Sequence, residues 1–223
     1  MSKATGQGGL DLAGDKARAL ALTPVSRETL QRLAIYVELL LRWQQTTNLI
    51  SPSTIPHIWT RHIADSLQLM DLVPDAKTWI DLGSGGGFPA IPVACVLADT
   101  PGAMVHLVES NGKKAAFLRE AVRATGVPAQ VHAERIEKFV AGAVNSVDVV
   151  SARALAPLKT LCDQAFPLIE RGATGLFLKG LDVDTELTEA SKYWKLDARK
   201  VPSKTSPDGC VVIVRNLKTQ PAT

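Results

Sequence analysis

The sequence predicts an α/β fold: a mostly parallel sheet with helices on both faces and a helical extension at the N-terminus. Three observations carry that expectation. From Thr78 onward, short apolar runs alternate regularly with longer segments of helical period. The first of those runs ends in a glycine-rich turn, Gly83–Gly87, that leads directly into an alanine-rich helix. The last two extended segments flank Ser206-Pro207-Asp208-Gly209, a turn suited to an antiparallel pair that closes the sheet.

The elements follow in order. Residues 1–22 mix glycine, alanine and charge, and are expected to be loosely ordered and flexible. Ser26 suits the N-cap of a helix running to about Gln45, with Leu30, Leu33, Ala34, Val37, Leu40 and Leu41 on one stripe for packing. Residues 23–76 read as an N-terminal helical module and 77–223 as the α/β domain. Within the module, Thr47-Asn48 and Ser51-Pro52-Ser53 mark turns. Helical period resumes at about Thr54, through Ile58, Ile63, Leu67 and Met70, and stops before Pro74. Arg61 and Asp65 lie one helical turn apart and suit pairing on a helix face, and a histidine such as His62 is most often a hydrogen-bonded surface or core group.

Beyond the module, strands are expected at Thr78–Leu82, Met104–Glu109, Ala129–Ala133, Val147–Val150, Gly175–Leu178, Ala198–Val201 and Cys210–Arg215. Helical segments are expected at Phe88–Ala98, Lys113–Ala124, Arg135–Phe139, Leu158–Ile169 and Thr185–Trp194. The Lys113–Ala124 helix is expected to turn Ala116, Phe117 and Ala121 inward and its basic residues outward.

Composition narrows the classes. The chain has 223 residues and a net charge of +3, mildly basic and only a weak pointer to nucleic acid. Cys95, Cys162 and Cys210 stand far apart, with neither a Cys-x-x-Cys pair nor a histidine cluster, so reduced thiols and no metal are expected. No apolar run approaches the roughly 18 residues of a membrane span. A cytoplasmic monomer without a membrane partner is expected.

The chemistry lies in the glycine turn. A dinucleotide fingerprint would require glycine where Phe88 stands, which opposes an NAD-dependent oxidoreductase. The pattern Asp81, Gly83, Gly85, Gly87 instead resembles motif I of the S-adenosylmethionine-dependent methyltransferases. That resemblance implies the class I methyltransferase fold, with its seven-stranded mostly parallel sheet. In such a sheet ligands lie beyond the carboxyl ends of the strands. Asp81 can there receive a cationic amino group, directly or through water. Glu109, at the end of the second strand, can accept both ribose hydroxyls of an adenosine. Ile136 and Glu137 follow the third strand, where an adenine edge would lie. Arg153 ends the fourth, where it either serves the reacting groups or pairs with a carboxylate of its own chain.

A longer resemblance follows. RHIADSL at Arg61–Leu67, DLGSGGGFPAIPVA at Asp81–Ala94, VESNGKKAAFL at Val108–Leu118, SARA at Ser151–Ala154 and FLKG at Phe177–Gly180 occur in one order, with WQQTTNL at Trp43–Leu49 before them. Together they resemble the glucose-inhibited division protein B family, the small-subunit ribosomal RNA 7-methylguanosine methyltransferases. The resemblance implies transfer of a methyl group from S-adenosylmethionine to guanine N7 in the 530 loop of 16S rRNA, as naked RNA or in the small ribosomal subunit. It implies cofactor contacts at Gly83, Phe88, Ile136, Glu137 and Arg153. The family often carries Gly-Pro-Gly where this chain has Gly85-Gly86-Gly87, and commonly aspartate where it has Glu109. No general base is needed for N7, so no catalytic residue is assigned. Arg61, His62, Lys113, Lys114 and Lys179 are candidates for the RNA phosphates, and Phe88 and Trp59 for stacking the base. A methyltransferase acting on a small molecule or a protein is the alternative.

Overall fold

The structure, a computed structural model, describes residues 11–142 and 147–220. Strands β1 (Thr78–Leu82), β2 (Met104–Val108), β3 (Ala129–His132), β4 (Val149–Arg153), β5 (Thr174–Lys179), β6 (Trp194–Pro202) and β7 (Cys210–Thr219) form one sheet in the order β3-β2-β1-β4-β5-β7-β6. The first five pair in parallel, whereas β7 runs antiparallel to both β5 and β6. This is the sheet of the class I methyltransferase fold. The order reverses between β1 and β4, whose carboxyl ends therefore open a crevice.

Strand side chains alternate between two buried layers, as a sheet covered on both faces requires. Trp79, Val105, Leu107, Val149 and Leu176 join the layer under the N-terminal helices. Ile80, Val108, Val150 and Phe177 join the opposite layer, with Leu161 and Leu168. Helices α4 (Ala90–Leu97) and α5 (Gly112–Thr125) cover the first layer. Helices α6 (Ile136–Ala141), α7 (Leu158–Ile169) and α8 (Val183–Ser191) cover the second. Cys95 and Cys162 are buried and free, and burial pushes both thiols up to about 12.

The N-terminal segments departed most from expectation. Leu12–Leu22, expected to be loosely ordered, is helix α1, capped by the Asp11 side chain on Gly14 N–H. Residues 1–10 of that stretch lie outside the described residues. Helix α2 (Arg27–Gln44) begins at the expected Ser26 cap. It is clamped to the domain by the Arg32–Asp99 ion pair at 2.9 Å and by Trp43 Nε1–H donating to Glu120 at 2.9 Å. The stretch expected as one helix from Thr54 is instead wound unevenly. A 3₁₀ turn (Pro52–His57) passes into a π-helical turn (Trp59–Ala64), the short α3 (Asp65–Leu67) and another 3₁₀ turn (Gln68–Leu72).

Asp15 explains how the π turn is held. Fully buried, its Oδ2 accepts Trp59 N–H at 2.8 Å and its Oδ1 accepts the Thr60 hydroxyl at 2.7 Å. Donors left free at the start of that turn thus find a partner from another helix. Smaller departures are local. Ala116 is exposed and Ala115 buried on α5, and Trp194 opens β6 rather than closing the helix before it. Among the described residues no helix is long and apolar enough to cross a membrane. Asp15→Ala leaves buried donors without an acceptor and should cost about 2 kcal/mol. The thermal midpoint should fall by about 4–8 °C, and less for Asp15→Asn, which keeps one acceptor oxygen.

Candidate functional site

The Gly83–Gly87 turn is held from both sides. Glu109 Oε2 accepts Gly85 N–H at 2.8 Å while Oε1 accepts Asn111 N–H at 2.7 Å, so one carboxylate ties the end of β2 to the loop and to the start of α5. On the other side, the Tyr36 hydroxyl donates to Gly86 carbonyl oxygen. Gln44 holds the segment beyond α2 by accepting from Leu49 and Ile50 N–H at 2.9 and 3.1 Å. That segment lies so close that a Cβ on Gly86 would meet Leu49 carbonyl oxygen at 2.9 Å. Gly87 has φ +91°, and a Cβ there would sit 2.8 Å from Ile91. Only glycine fits.

A cavity of about 430 Å³ opens beside this turn. Gly83, Gly85, Phe88, Glu109, Ile136 and Glu137 line it. Lys114 and Arg153 also reach it. Two of the expected loop residues do not. Gly87 packs behind against Tyr36, and Asp81 lies beneath the turn, 1% exposed. Asp81 Oδ1 accepts the Ser151 hydroxyl at 2.8 Å across the β1–β4 pair, and Oδ2 has no partner. Burial pushes this carboxyl up to about 7, against the opposing pull of the Ser84 and Ser151 hydroxyls.

Arg153 lines the cavity too. Its guanidinium lies over the Phe88 ring at 4.9 Å, donates to Arg61 carbonyl oxygen at 3.1 Å and faces Asp65 at 3.6 Å. Its remaining fork meets His62 Nδ1. Arginine has only donors, so Nδ1 must be the acceptor, and the ring is neutral with its proton on Nε2, 2.8 Å from Thr54 Oγ1. Burial and the neighbouring Arg153 charge agree, pushing His62 down to about 3. Asp65 also accepts from Thr205 at 2.8 Å, which links this knot to the β6–β7 turn.

Several residues expected to contact RNA have other partners in the structure. His62 is a buried neutral acceptor, not a cation facing solvent. Lys179, 9% exposed, pairs with Glu186 at 2.5 Å and donates to Ala156 carbonyl oxygen at 2.9 Å. Trp59 is buried beneath Lys16, so it offers no stacking face. Arg61 does not pair with Asp65. It is exposed, as is Lys113, whereas Lys114 belongs to the cavity wall.

A second cavity of about 680 Å³ lies over the ends of β4, β5 and β7. It shares Leu49, Arg153 and Ala154 with the first, so the two meet at the end of β4. Ala154, which lines both, holds φ +51°, a strained conformation for alanine. Tyr36, Gln44 and Leu155 shape this region without having been singled out from sequence. Tyr36 and Gln44 lie in or beside the α2 stripe, where side chains are read as packing.

The His62 knot has a pH signature. Below 6.5 the unfolded chain takes up a proton that the folded ring refuses until about 3, so stability falls as pH drops across that window. His62→Gln should be less stable than wild type at pH 7. Its deficit should narrow by about 2 kcal/mol between pH 7 and pH 5 in urea unfolding. A constant deficit would mean that the folded ring titrates as it does in the unfolded chain.

Comparison with known proteins places this architecture. Residues 29–209 match the family described as GidB, rRNA small subunit methyltransferase G. A Bradyrhizobium sp. (strain BTAi1) protein named ribosomal RNA small subunit methyltransferase G is 61% identical over 91% of each chain. A Rhodopseudomonas palustris (strain BisB18) protein of the same name is 60% identical over 94% of this chain and 90% of its own. Among solved structures, an SAH-bound Podospora anserina methyltransferase superposes with a TM-score of 0.62 at 12% identity, covering 96% of this chain and 98% of its own. An O-methyltransferase from Bacillus cereus in complex with SAH gives 0.59 at 13% identity, covering 90% and 96%. The fold is that of the methyltransferases, and the chain belongs to the rRNA small subunit methyltransferase G family.

Proposed function

We propose that the chain transfers a methyl group from S-adenosylmethionine to N7 of a guanine in the 530 loop of 16S rRNA. Family membership supports methylation of small-subunit rRNA, and the finer choice of base and loop follows the sequence resemblance. The observation that carries the reading is the junction of two cavities at Arg153 and Ala154, one walled by the glycine turn and acids, the other open to a second reactant.

The residues present fit the donor. The unpartnered Asp81 Oδ2 suits a cationic amino group, reached through a water because Asp81 lies beneath the turn. Each Glu109 oxygen accepts one backbone N–H and retains a lone pair for a ribose hydroxyl. Ile136 and Glu137 line the cavity just after β3 and suit an adenine edge, and Phe88 lines the same cavity. The side of Gly83 must stay bare, since a Cβ there would meet Leu155 Cδ1 at 2.5 Å. When bound, S-adenosylmethionine supplies an electrophilic methyl on a sulfonium.

Guanine N7 has an in-plane lone pair and no proton to lose, so the chain's task is alignment. Alignment alone can supply several kcal/mol. The carbon–nitrogen bond forms as the carbon–sulfur bond breaks, and positive charge moves to the purine. Arg153 is suited to this, because Asp65 at 3.6 Å balances its charge and leaves no bare cation against the base. Arginine has five N–H donors, and those not engaged by Arg61, His62 or Asp65 can hold the donor's carboxylate. Exposed Arg61 and Lys113 remain for RNA phosphates.

Tritiated-methyl transfer to 16S rRNA, free or in the small subunit, followed by mass-spectrometric mapping, should find 7-methylguanosine in the 530 loop. Label elsewhere overturns the assignment. Glu109→Ala should weaken S-adenosylmethionine binding by about 1–3 kcal/mol in calorimetry, and unchanged affinity would remove Glu109 from the site. Asp81 adds a pH dependence. Its folded value near 7 exceeds the ordinary 3.8, so it is protonated in the free protein below 7 and must ionise to receive a cation. Affinity should therefore rise from pH 5 to pH 7 with proton release, then level, and Asp81→Asn should abolish the trend.

A further inference from the structure

We propose that Leu181 is a positioning residue for the acceptor, an apolar wedge that fills the gap left in an RNA base stack when the target nucleotide enters the second cavity. The proposal rests on the methyltransferase reading above. A paired or stacked purine leaves no room for a protein around the reacting atom. Enzymes acting on bases extrude the nucleotide, and apolar side chains inserted between base steps commonly hold the opening.

Leu181 is 76% exposed, well beyond the other exposed large apolar side chains among the described residues, Leu22, Ile35 and Tyr193. A single exposed leucine is ordinary. Its place is not, for it stands on the wall of the cavity that meets the donor cavity at Arg153. The wall it belongs to also carries the exposed Arg61, a cation suited to the phosphate of the entering nucleotide. The turn that presents Leu181 is anchored at both ends. Lys179, just before it, is tied to Glu186 at 2.5 Å and to Ala156 carbonyl oxygen at 2.9 Å. Val183 N–H closes the turn on Gly180 carbonyl oxygen at 3.3 Å, and Glu186 N–H bonds Asp182 carbonyl oxygen at 3.0 Å. A wedge must be stiff at its base to part stacked bases, and the half-buried Lys179–Glu186 pair provides that stiffness. This gives Lys179 a role consistent with its burial.

The test uses the full chain and rRNA lacking the methyl group, free or in the small subunit, whichever the wild type modifies. At this exposed position Leu181→Ala, Leu181→Asn and Leu181→Met should all fold. At saturating S-adenosylmethionine, the alanine and asparagine variants should transfer methyl at least about tenfold more slowly in a single turnover. Their affinity for S-adenosylmethionine should stay within about twofold of wild type, and Leu181→Met, with similar apolar bulk, should recover the rate. Wild-type rates for alanine, or equal rates for asparagine and methionine, overturn the wedge while leaving the methyltransferase reading intact. A wild-type chain that labels no rRNA overturns that reading and the wedge with it.

Discussion

The guanidinium of Arg153 is the point on which the ligand end of the sheet depends. It is largely buried at the tip of β4, and a buried charge is tolerable only when its donors are met. The chain meets them from a distance: Arg61 carbonyl oxygen, His62 Nδ1 and Asp65 all belong to the N-terminal segment, and Phe88 supplies an aromatic face. Satisfying this one group fixes the N-terminal helices against the strand ends. It also fixes a partition, since Arg153 stands in the wall of both cavities.

The uneven winding of Pro52–Leu72 follows from the same constraint. A regular α-helix through Arg61 and Asp65 would place the two side chains beside each other on one face. A π turn instead lets the Arg61 carbonyl, the His62 ring and the Asp65 carboxylate converge on a single guanidinium. π turns inside helices frequently mark functional sites. Here Asp15 compensates for the irregular start by accepting from Trp59 and Thr60, which is why α1 is ordered.

The glycine turn shows a second economy. Glu109 braces the loop through Gly85 N–H and lines the first cavity with the same carboxylate. Asp81 works differently. It holds Ser151 across the strand pair with one oxygen and keeps the other unpaired, at the expense of a carboxyl that is half neutral near pH 7. A buried polar atom without a partner is costly, and such atoms in native structures call for an explanation. A cationic ligand end is the explanation proposed here.

The sequence by itself determined the sheet, its covering helices and the glycine turn, because each is written in local chemistry: period, capping residues and positions only glycine can occupy. Glu109 and Arg153 were legible as strand-end residues, and Ile136 and Glu137 as residues following the third strand, for the same reason. What only the tertiary structure decided was which charges are free. His62 and Lys179 look like cations for RNA in the chain, yet one is a neutral acceptor for Arg153 and the other is sealed against Glu186. The partner that decides His62 lies 91 residues away, and no local pattern encodes a contact of that separation. Helix α1 depends on distant partners in the same way, since contacts that hold it are made by Trp59 and Thr60, far along the chain. Local periodicity reports the backbone, whereas burial and charge state belong to the neighbours that folding brings together.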